Sequence, residues 1–320
     1  MTKTQKLLAT NLLRFDFKFN QPLAPLSYFK LGGPAEAYLK LTDLDQIITV
    51  ARFCQQHQVK LTILGGGSNV IIADQGVQGL VLHLAADRLK TLKSDQPGYQ
   101  VLQAQAGLKT SVLVSRSVKL GLTGLEYFLG VPGTVGGAVY NNAHYLEDLI
   151  GKHVKQVQVL TPQGKLEWLS QAQCDFAYDS SRFHHTQEII LQVDFLLAQG
   201  DRATSQELIR EANTYRQKTQ PLNLPSSGCV FQNVPNTAKL KKLFPQFKKR
   251  NFVPAGFLID QAGLKGVKQG DIQVSDKHAA FMVNLGQGTT KDLKKLIKKV
   301  QERVKKRFGV QLTEEVFYLS

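Results

Sequence analysis

The chain has 320 residues, 42 % of them hydrophobic, more than one typical domain of ~100–200 residues and enough to bury a large core in two or three lobes. Its three cysteines, Cys54, Cys174 and Cys229, lack CxxC or Cys/His ligand spacing, so neither a disulfide framework nor a zinc site is indicated, and a reducing cytoplasm fits best. The formal charge of +15 concentrates in Lys239–Arg250 and Lys291–Arg307, but no interleaved aromatics or nucleic-acid motif accompany these runs, which leaves a basic nucleic-acid-binding protein as the most distant reading.

The opening "MTKTQKLLATNLLRFDFKFN" is basic without an apolar core of ~7–15 residues or a small-residue cleavage site, and no apolar run approaches ~18 residues. A soluble, unsecreted chain is expected. Residues 36–84 read as strand "EAYLKL", a helix from Thr42, strand "KLTIL", a glycine loop, strand "NVIIAD", turn "QGVQG" and strand "LVLHL". Thr42 and Asp45 have capping-box spacing, and Leu44, Ile47, Ile48 and Ala51 share one face. From 99 to 200 follow strand "YQVLQAQAG", helix "KTSVLVSRSVKLGL", a second glycine-rich segment, and a β-rich run "VKQVQVLTPQGKLEWL" broken by a Pro-Gln-Gly turn. A polar helical connector covers Thr204–Lys218 and ends before Pro221. The last lobe holds "PSSGCVFQN", the short helix of "AGFLIDQAGLKG", "AAFMVNLG", a basic helix and a final strand "EVFYLS". In that helix Leu293, Leu296, Ile297, Val300, Val304 and Phe308 recur at helical spacing, with lysines on the outer face.

The stretch "KLTILGGGSNVIIAD" poses the functional question. Consecutive glycines let backbone N–H groups converge on an anion, and Ser68 adds a donor. A dinucleotide GxGxxG or a Walker loop must open a helix, whereas "VIIAD" is strand-like, and no Gly-Lys-Ser/Thr is present. A plain strand-to-strand turn is the bland alternative. Against it stands the second cluster, "GLEYFLGVPGTVGGAVYNNAHY", with Gly130, Gly133, Gly136 and Gly137 around Pro132. Two such loops suggest one extended ligand.

Seven stretches in order, "YFKLGGPAE", "LGGGSNVIIADQGVQGLV", "GLEYFLGVPGTVGGAVYNN", "QPLNLPSSGCVFQN", "AGFLIDQAGLKG", "VSDKHAAFMVN" and "RFGVQLTEEV", make the chain resemble the UDP-N-acetylenolpyruvoylglucosamine reductase family over nearly its whole length. The subgroup resembled is the one without an inserted tyrosine loop. The resemblance implies an α+β protein: a vanillyl-alcohol-oxidase (PCMH-type) FAD-binding domain over 1–200, in two α/β subdomains of about 1–85 and 86–200, and a smaller α+β substrate domain over 201–320 whose last strand packs back toward the active site. It implies non-covalent FAD held by Gly65, Gly66, Gly67, Ser68, Asn69, Gly130, Pro132, Gly133, Thr134, Gly136 and Gly137. It also implies NADPH as co-substrate, a UDP-sugar substrate in peptidoglycan synthesis, and a cytoplasmic monomer without nucleic-acid or membrane partners.

The implied reaction delivers hydride from flavin N5 to the vinyl carbon of an enolpyruvyl ether, which leaves an enolate needing positive or hydrogen-bonding groups and a proton donor. The family's donor is usually a serine; Cys229 stands at that position, and thiols, with a reference pKa near ~8.5, are far better acids than aliphatic hydroxyls. Glu315, in "LTEEV", matches the family's glutamate, and Asn233 and Tyr178 match substrate-contacting positions. The departure is Asp179, which stands where the family has an arginine facing the substrate carboxylate, and an anion there opposes the developing charge. Arg182, three residues on, is the candidate to take over, with Asp179 orienting it or another basic residue. Lys30 replaces a frequent arginine, and His144 stands where small residues are common, read as a packed loop histidine. Loss of the arginine supports one alternative, a catalytically silent flavin- or UDP-sugar-binding relative; another FAD oxidoreductase sharing the domain is the second.

Overall fold

The helix expected from Thr42 forms over Leu44–Gln56 in the computed structural model, which describes residues 1–145 and 148–320. Its N-cap is Asp43 rather than Thr42: the Asp43 carboxylate accepts from Gln46 N at 3.0 Å. Both residues have the spacing for a cap, and the carboxylate, which also complements the helix dipole, occupies it. Ile47, Val50, Ala51 and Cys54 form the buried face. An N-terminal helix, Lys3–Asn11, was not expected; Thr2 and Gln5 close a reciprocal capping box at its start.

By contact the chain forms two compact units. The first comprises Met1–Gln21, Ala35–Gly66 and Gln78–Arg216. One sheet orders the strands Lys18–Pro22, Pro34–Leu41, Val77–Leu84 and Leu61–Leu64, the last two running parallel. Another orders Leu166–Ser170, Val154–Leu160, Ile189–Gln199, Tyr99–Gln105 and Leu89–Leu92, all antiparallel, with Leu122–Thr123 paired to the central strand. The central strand Ile189–Gln199 is buried along most of its length; its apolar residues are interrupted by Gln192, which donates to Gln158, and by the buried Asp194, which accepts from Gln103 and Gln156. The helix Thr110–Lys119 buries Leu113, Val114 and Val118, and the connector helix runs over Arg202–Thr219.

The second unit comprises Pro22–Pro34, Gly67–Val77 and Gln217–Ser320, with its own core of Phe29, Leu31, Ile71, Phe231, Leu258, Met282 and the inner face of the basic helix. That helix spans Thr290–Phe308 and buries all six apolar residues of the expected seam. Thr289 caps it from its own chain segment, while the Asp74 carboxylate accepts from Thr290 N and Lys291 N at 2.8 and 2.9 Å. The strand after the glycines forms as Val70–Ile72 and pairs in parallel with Phe317–Leu319. A three-stranded antiparallel sheet, Lys268–Gln269, Ile272–Val274 and Met282–Asn284, completes the unit. Among the described residues, no helix is long and apolar enough to cross a membrane.

Candidate active site

In the first unit the two glycine loops lie backbone against backbone. A Cβ on Gly66 would stand 2.5 Å from Gly133 Cα, and one on Gly65 would stand 2.7 Å from Thr134 Oγ1. Only glycine permits this approach. Gly136 is held where its N–H donates to Ala106 O at 2.9 Å, and a Cβ there would meet the Ala106 side chain. Gly137 is nearly open, with Thr134 Oγ1 at 3.7 Å from the position its Cβ would take. The hydroxyls of Thr134, in the second loop, and of Thr110, whose N–H donates to Gly133 O at 3.2 Å, are buried without a hydrogen-bond partner among the described residues. Buried hydroxyls are costly unless paired, so a cradle of close-packed backbone with two unpaired donors suits the oxygens of a bound pyrophosphate. These residues fit FAD. Pro132 is exposed at the rim of its loop, and Gly130 lies against Arg216, whose NH1 donates to Gly130 O at 2.8 Å.

Gly67, Ser68 and Asn69 continue into the second unit and serve it in part. Gly67 has φ 68° and accepts from Tyr28 N at 2.9 Å. The Asn69 amide donates to Glu315 O at 3.2 Å, and Phe317 N donates to Asn69 O. Asn69, expected in the cofactor set, therefore fixes the backbone that carries Glu315.

In the second unit Cys229, Val230 and Phe231 are strung between two partners. Cys229 bridges Phe281, Val230 N donates to Ala280 O, and Phe231 bridges Glu314. Glu315 N donates to Val230 O at 2.9 Å, which sets Glu315 across from the neighbour of Cys229. Gly228, at φ 83°, makes the turn into Cys229 in a conformation that favours glycine. Cys229 is half-buried, whereas Cys54 and Cys174 are buried and their thiols pushed up to about 12 by burial. The neighbouring Glu314 accepts from Tyr318 Oη at 2.5 Å, with Lys294 over the Tyr318 ring. Asn233 Oδ1 accepts from Ala255 N at 3.2 Å and so holds the start of the helix Ala255–Gln261.

The segment around Asp179 is a tight turn in the first unit. Ala177 N and Ser180 N each donate to the other's carbonyl, leaving Tyr178 and Asp179 at the tip, Asp179 at φ 48°. Aspartate tolerates that left-handed region better than most residues. Its Oδ1 lies 2.7 Å from His144 Nδ1, a contact across 35 positions that no spacing rule could reveal. Arg182, expected to face the substrate, is engaged elsewhere: Nε and NH2 hold the two oxygens of Glu188 at 3.0 and 2.9 Å, and NH1 donates to Gln173 O at 2.9 Å. Glu188 is nearly buried, so this fork ties the segment together. Among the described residues no His, Cys, Asp or Glu cluster could hold a metal ion.

Comparison with known proteins accounts for both units. Residues 35–170 match an FAD binding domain, and residues 220–319 match the C-terminal domain of UDP-N-acetylenolpyruvoylglucosamine reductase. The UDP-N-acetylenolpyruvoylglucosamine reductase of Carboxydothermus hydrogenoformans is 35 % identical, over 94 % of this chain and 93 % of that protein. The enzyme of that name from Streptococcus pneumoniae strain Hungary19A-6 is 34 % identical, over 100 % of this chain and 99 % of its own. The crystal structure of the Thermus caldophilus enzyme superposes with a TM-score of 0.75 at 28 % identity, covering 96 % of this chain and 99 % of that one. With two relatives above a third identical from end to end, the chain belongs to the UDP-N-acetylenolpyruvoylglucosamine reductase family.

Proposed function

We propose that the chain reduces UDP-N-acetylenolpyruvoylglucosamine to UDP-N-acetylmuramate for peptidoglycan synthesis, with FAD as non-covalent cofactor and NADPH as the consumed reductant. The observation that carries the cofactor reading is the apposition of Gly66 and Gly133, together with the buried hydroxyls of Thr134 and Thr110 that have no partner among the described residues. The flavin, when bound, supplies the hydride for the vinyl carbon. The two glycine loops would hold its pyrophosphate, and the first compact unit would form the cofactor domain and the second the substrate domain.

The chain's own residues then manage charge and protons. Cys229 donates its thiol proton to the carbon next to the one receiving hydride and regains a proton from solvent. Glu315, fixed through its backbone by Val230 and Asn69, assists at the enolate. Asn233 and Tyr178 contact the sugar nucleotide. Arg182 is given no step, because its three contacts use the guanidinium within its own segment. We place the enzyme in the cytoplasm as a monomer, which size-exclusion chromatography with light scattering checks.

The test is NADPH oxidation by flavin-loaded protein on addition of the enolpyruvyl UDP-sugar. Turnover that depends on that substrate supports the reading. A yellow protein without substrate-dependent turnover favours the silent relative, whose support is Asp179 in place of a cation, and a colourless protein that gains no flavin absorbance with added FAD overturns the cofactor assignment.

A further inference from the structure

The turn within "VSDKHAAFMVN" carries the backbone from which Cys229 is hung: Cys229 bridges Phe281, and Val230 N donates to Ala280 O at 2.9 Å. The turn is tied down from within. Ser275 Oγ, on a buried residue, accepts from Lys277 N and His278 N at 3.2 and 3.3 Å. Phe281 N donates to His278 O and Ser275 N to Phe281 O, both at 2.9 Å. Ala280, whose carbonyl holds Val230, is itself buried, and its N–H goes to a side chain: it donates to His278 Nδ1 at 3.3 Å. The imidazole is packed in place. Phe281 meets it edge-on, centroids 5.0 Å apart at 68°, and a Cβ on Gly256 would stand 3.3 Å from His278 Cε1 and 3.2 Å from Ala280 N. Gly256 is the second residue of the helix Ala255–Gln261, whose start Asn233 holds. The contacts close on themselves: Asn233 fixes the helix, the helix backs the ring, the ring holds Ala280, and Ala280 holds Val230 beside Cys229. All of these groups lie in the second unit.

An Nδ1 that accepts from a backbone N–H carries a lone pair, so the ring is neutral and its proton sits on Nε2. The surroundings agree with that state, since burial first and the charge of Lys265 second hold the His278 pKa below its ordinary 6.5. Lys265 is paired with Asp260 at 3.0 Å, while Asp276 and Lys277 on the turn itself are exposed, Lys277 Nζ reaching Gln217 O. Without the acceptor the Ala280 N–H would be left unpaired in a buried place, and a shift of the turn is the way to relieve it. Such a shift moves Ala280 O, and with it the backbone next to Cys229.

We propose that His278, as a neutral acceptor at Nδ1, is a positioning residue that aims the Cys229 thiol for proton donation, acting through the Ala280 N–H and the bond from Val230 N to Ala280 O. The proposal rests on the reductase reading, in which Cys229 is the donor. His278 gives up no proton and acts only through the backbone it holds.

The experiment compares His278→Leu, which removes the acceptor, with His278→Asn, whose Oδ1 can stand where Nδ1 does, both as flavin-loaded protein. With the enolpyruvyl UDP-sugar, kcat/KM should fall about 10–100-fold in His278→Leu and stay within about fivefold of wild type in His278→Asn. In a Cys229→Ala background the His278→Leu change should cost less than about threefold, because the group being aimed is gone, whereas a general structural loss would persist there in full. Two readouts need no turnover. The rate of Cys229 alkylation by iodoacetamide at fixed pH should change about fivefold or more in His278→Leu and hold in His278→Asn. Nitrogen NMR of histidine-labelled wild type should show the Nε2–H tautomer for His278 at neutral pH, its signal assigned by its loss in His278→Asn. Equal losses in the two Cys229 backgrounds, an asparagine variant as impaired as the leucine variant, or a proton on Nδ1 overturns the proposal. If His278→Leu does not fold, the asparagine variant and the tautomer decide. Wild type without substrate-dependent turnover, or Cys229→Ala as active as wild type, refutes the reductase reading or the donor role of Cys229 instead, and the alkylation rates then decide on their own whether His278 positions the thiol.

Discussion

Cys229 and Arg182 illustrate how local surroundings separate residues that motif matching treats alike. The thiol is half-buried in a three-way junction of chain segments, whereas the other two cysteines are buried and held protonated. A thiol-directed reagent such as N-ethylmaleimide should therefore inactivate the enzyme with one equivalent incorporated, and a Cys229→Ser variant should resist it. That variant should keep activity within about tenfold of wild type, and Cys229→Ala should lose about 100-fold or more, since general acid catalysis contributes ~10²–10⁴. Equal activity of the serine and alanine variants would remove Cys229 from the chemistry. Arg182 is a different case. Removing its guanidinium strands the nearly buried Glu188 carboxylate, with Thr186 Oγ1 as a remaining partner, so Arg182→Ala should cost about 1–3 kcal/mol in denaturant unfolding. Arg182→Ala combined with Glu188→Gln should recover part of that loss, while turnover per folded, flavin-bound molecule stays near wild type. Collapse of turnover without loss of stability would return Arg182 to the catalytic set.

Among the elements, the adjacent strands Pro34–Leu41 and Val77–Leu84 carry a pH-sensitive contact. Tyr38 Oη and His83 Nδ1 are 2.7 Å apart, and burial together with the charge of Lys40 lowers the His83 pKa from 6.5 to about 4. The folded state thus binds fewer protons than the unfolded one between those values, so stability is lost as pH falls through 6.5 toward about 4. The shift corresponds to at most about 3 kcal/mol, reduced toward about 2 by partial exposure. Denaturant melts at pH 7 and pH 5 should show a smaller drop for His83→Gln than for wild type; an identical drop assigns the acid sensitivity to other groups. The helix Thr290–Phe308 makes the complementary point about which half of an amphipathic element holds the fold. Leu296→Ala, at a fully buried position, should cost about 2–5 kcal/mol, whereas replacing an outward lysine such as Lys298 should stay within about 0.5 kcal/mol.

Across the whole molecule, local pattern was legible and long-range placement was not. The seam of Leu293 through Phe308 and the strand after "GGGSN" could be read because each depends on residue spacing; the two glycine clusters could be singled out in the sequence, but not the close approach of Gly66 to Gly133. The Asp43 cap was missed because two neighbouring residues satisfied the same rule, and the His144–Asp179 and Arg182–Glu188 contacts because burial and turn geometry, not spacing, create them. The assembly of the second unit belongs to the same class. Its core needs Phe29, Leu31 and Ile71, its last strand needs Val70–Ile72 as partner, and its longest helix takes the Asp74 carboxylate at its start. Thr290 Oγ1 also donates to Ile72 O, and Asn284 Nδ2 to Phe29 O at 3.2 Å. A fragment of residues 217–320 lacks Phe29, Leu31, the strand Val70–Ile72 and Asp74. Three fully buried apolar side chains alone contribute about 1.5–3 kcal/mol each, comparable in sum with the ~5–15 kcal/mol by which a domain is stable at all. The fragment should therefore show no cooperative thermal transition and poor amide dispersion in NMR spectra, although it carries both Cys229 and Glu315. Supplying residues 22–34 and 67–77 on a designed linker should restore a transition, and cooperative folding of 217–320 unaided would show that the N-terminal segments decorate this core rather than complete it.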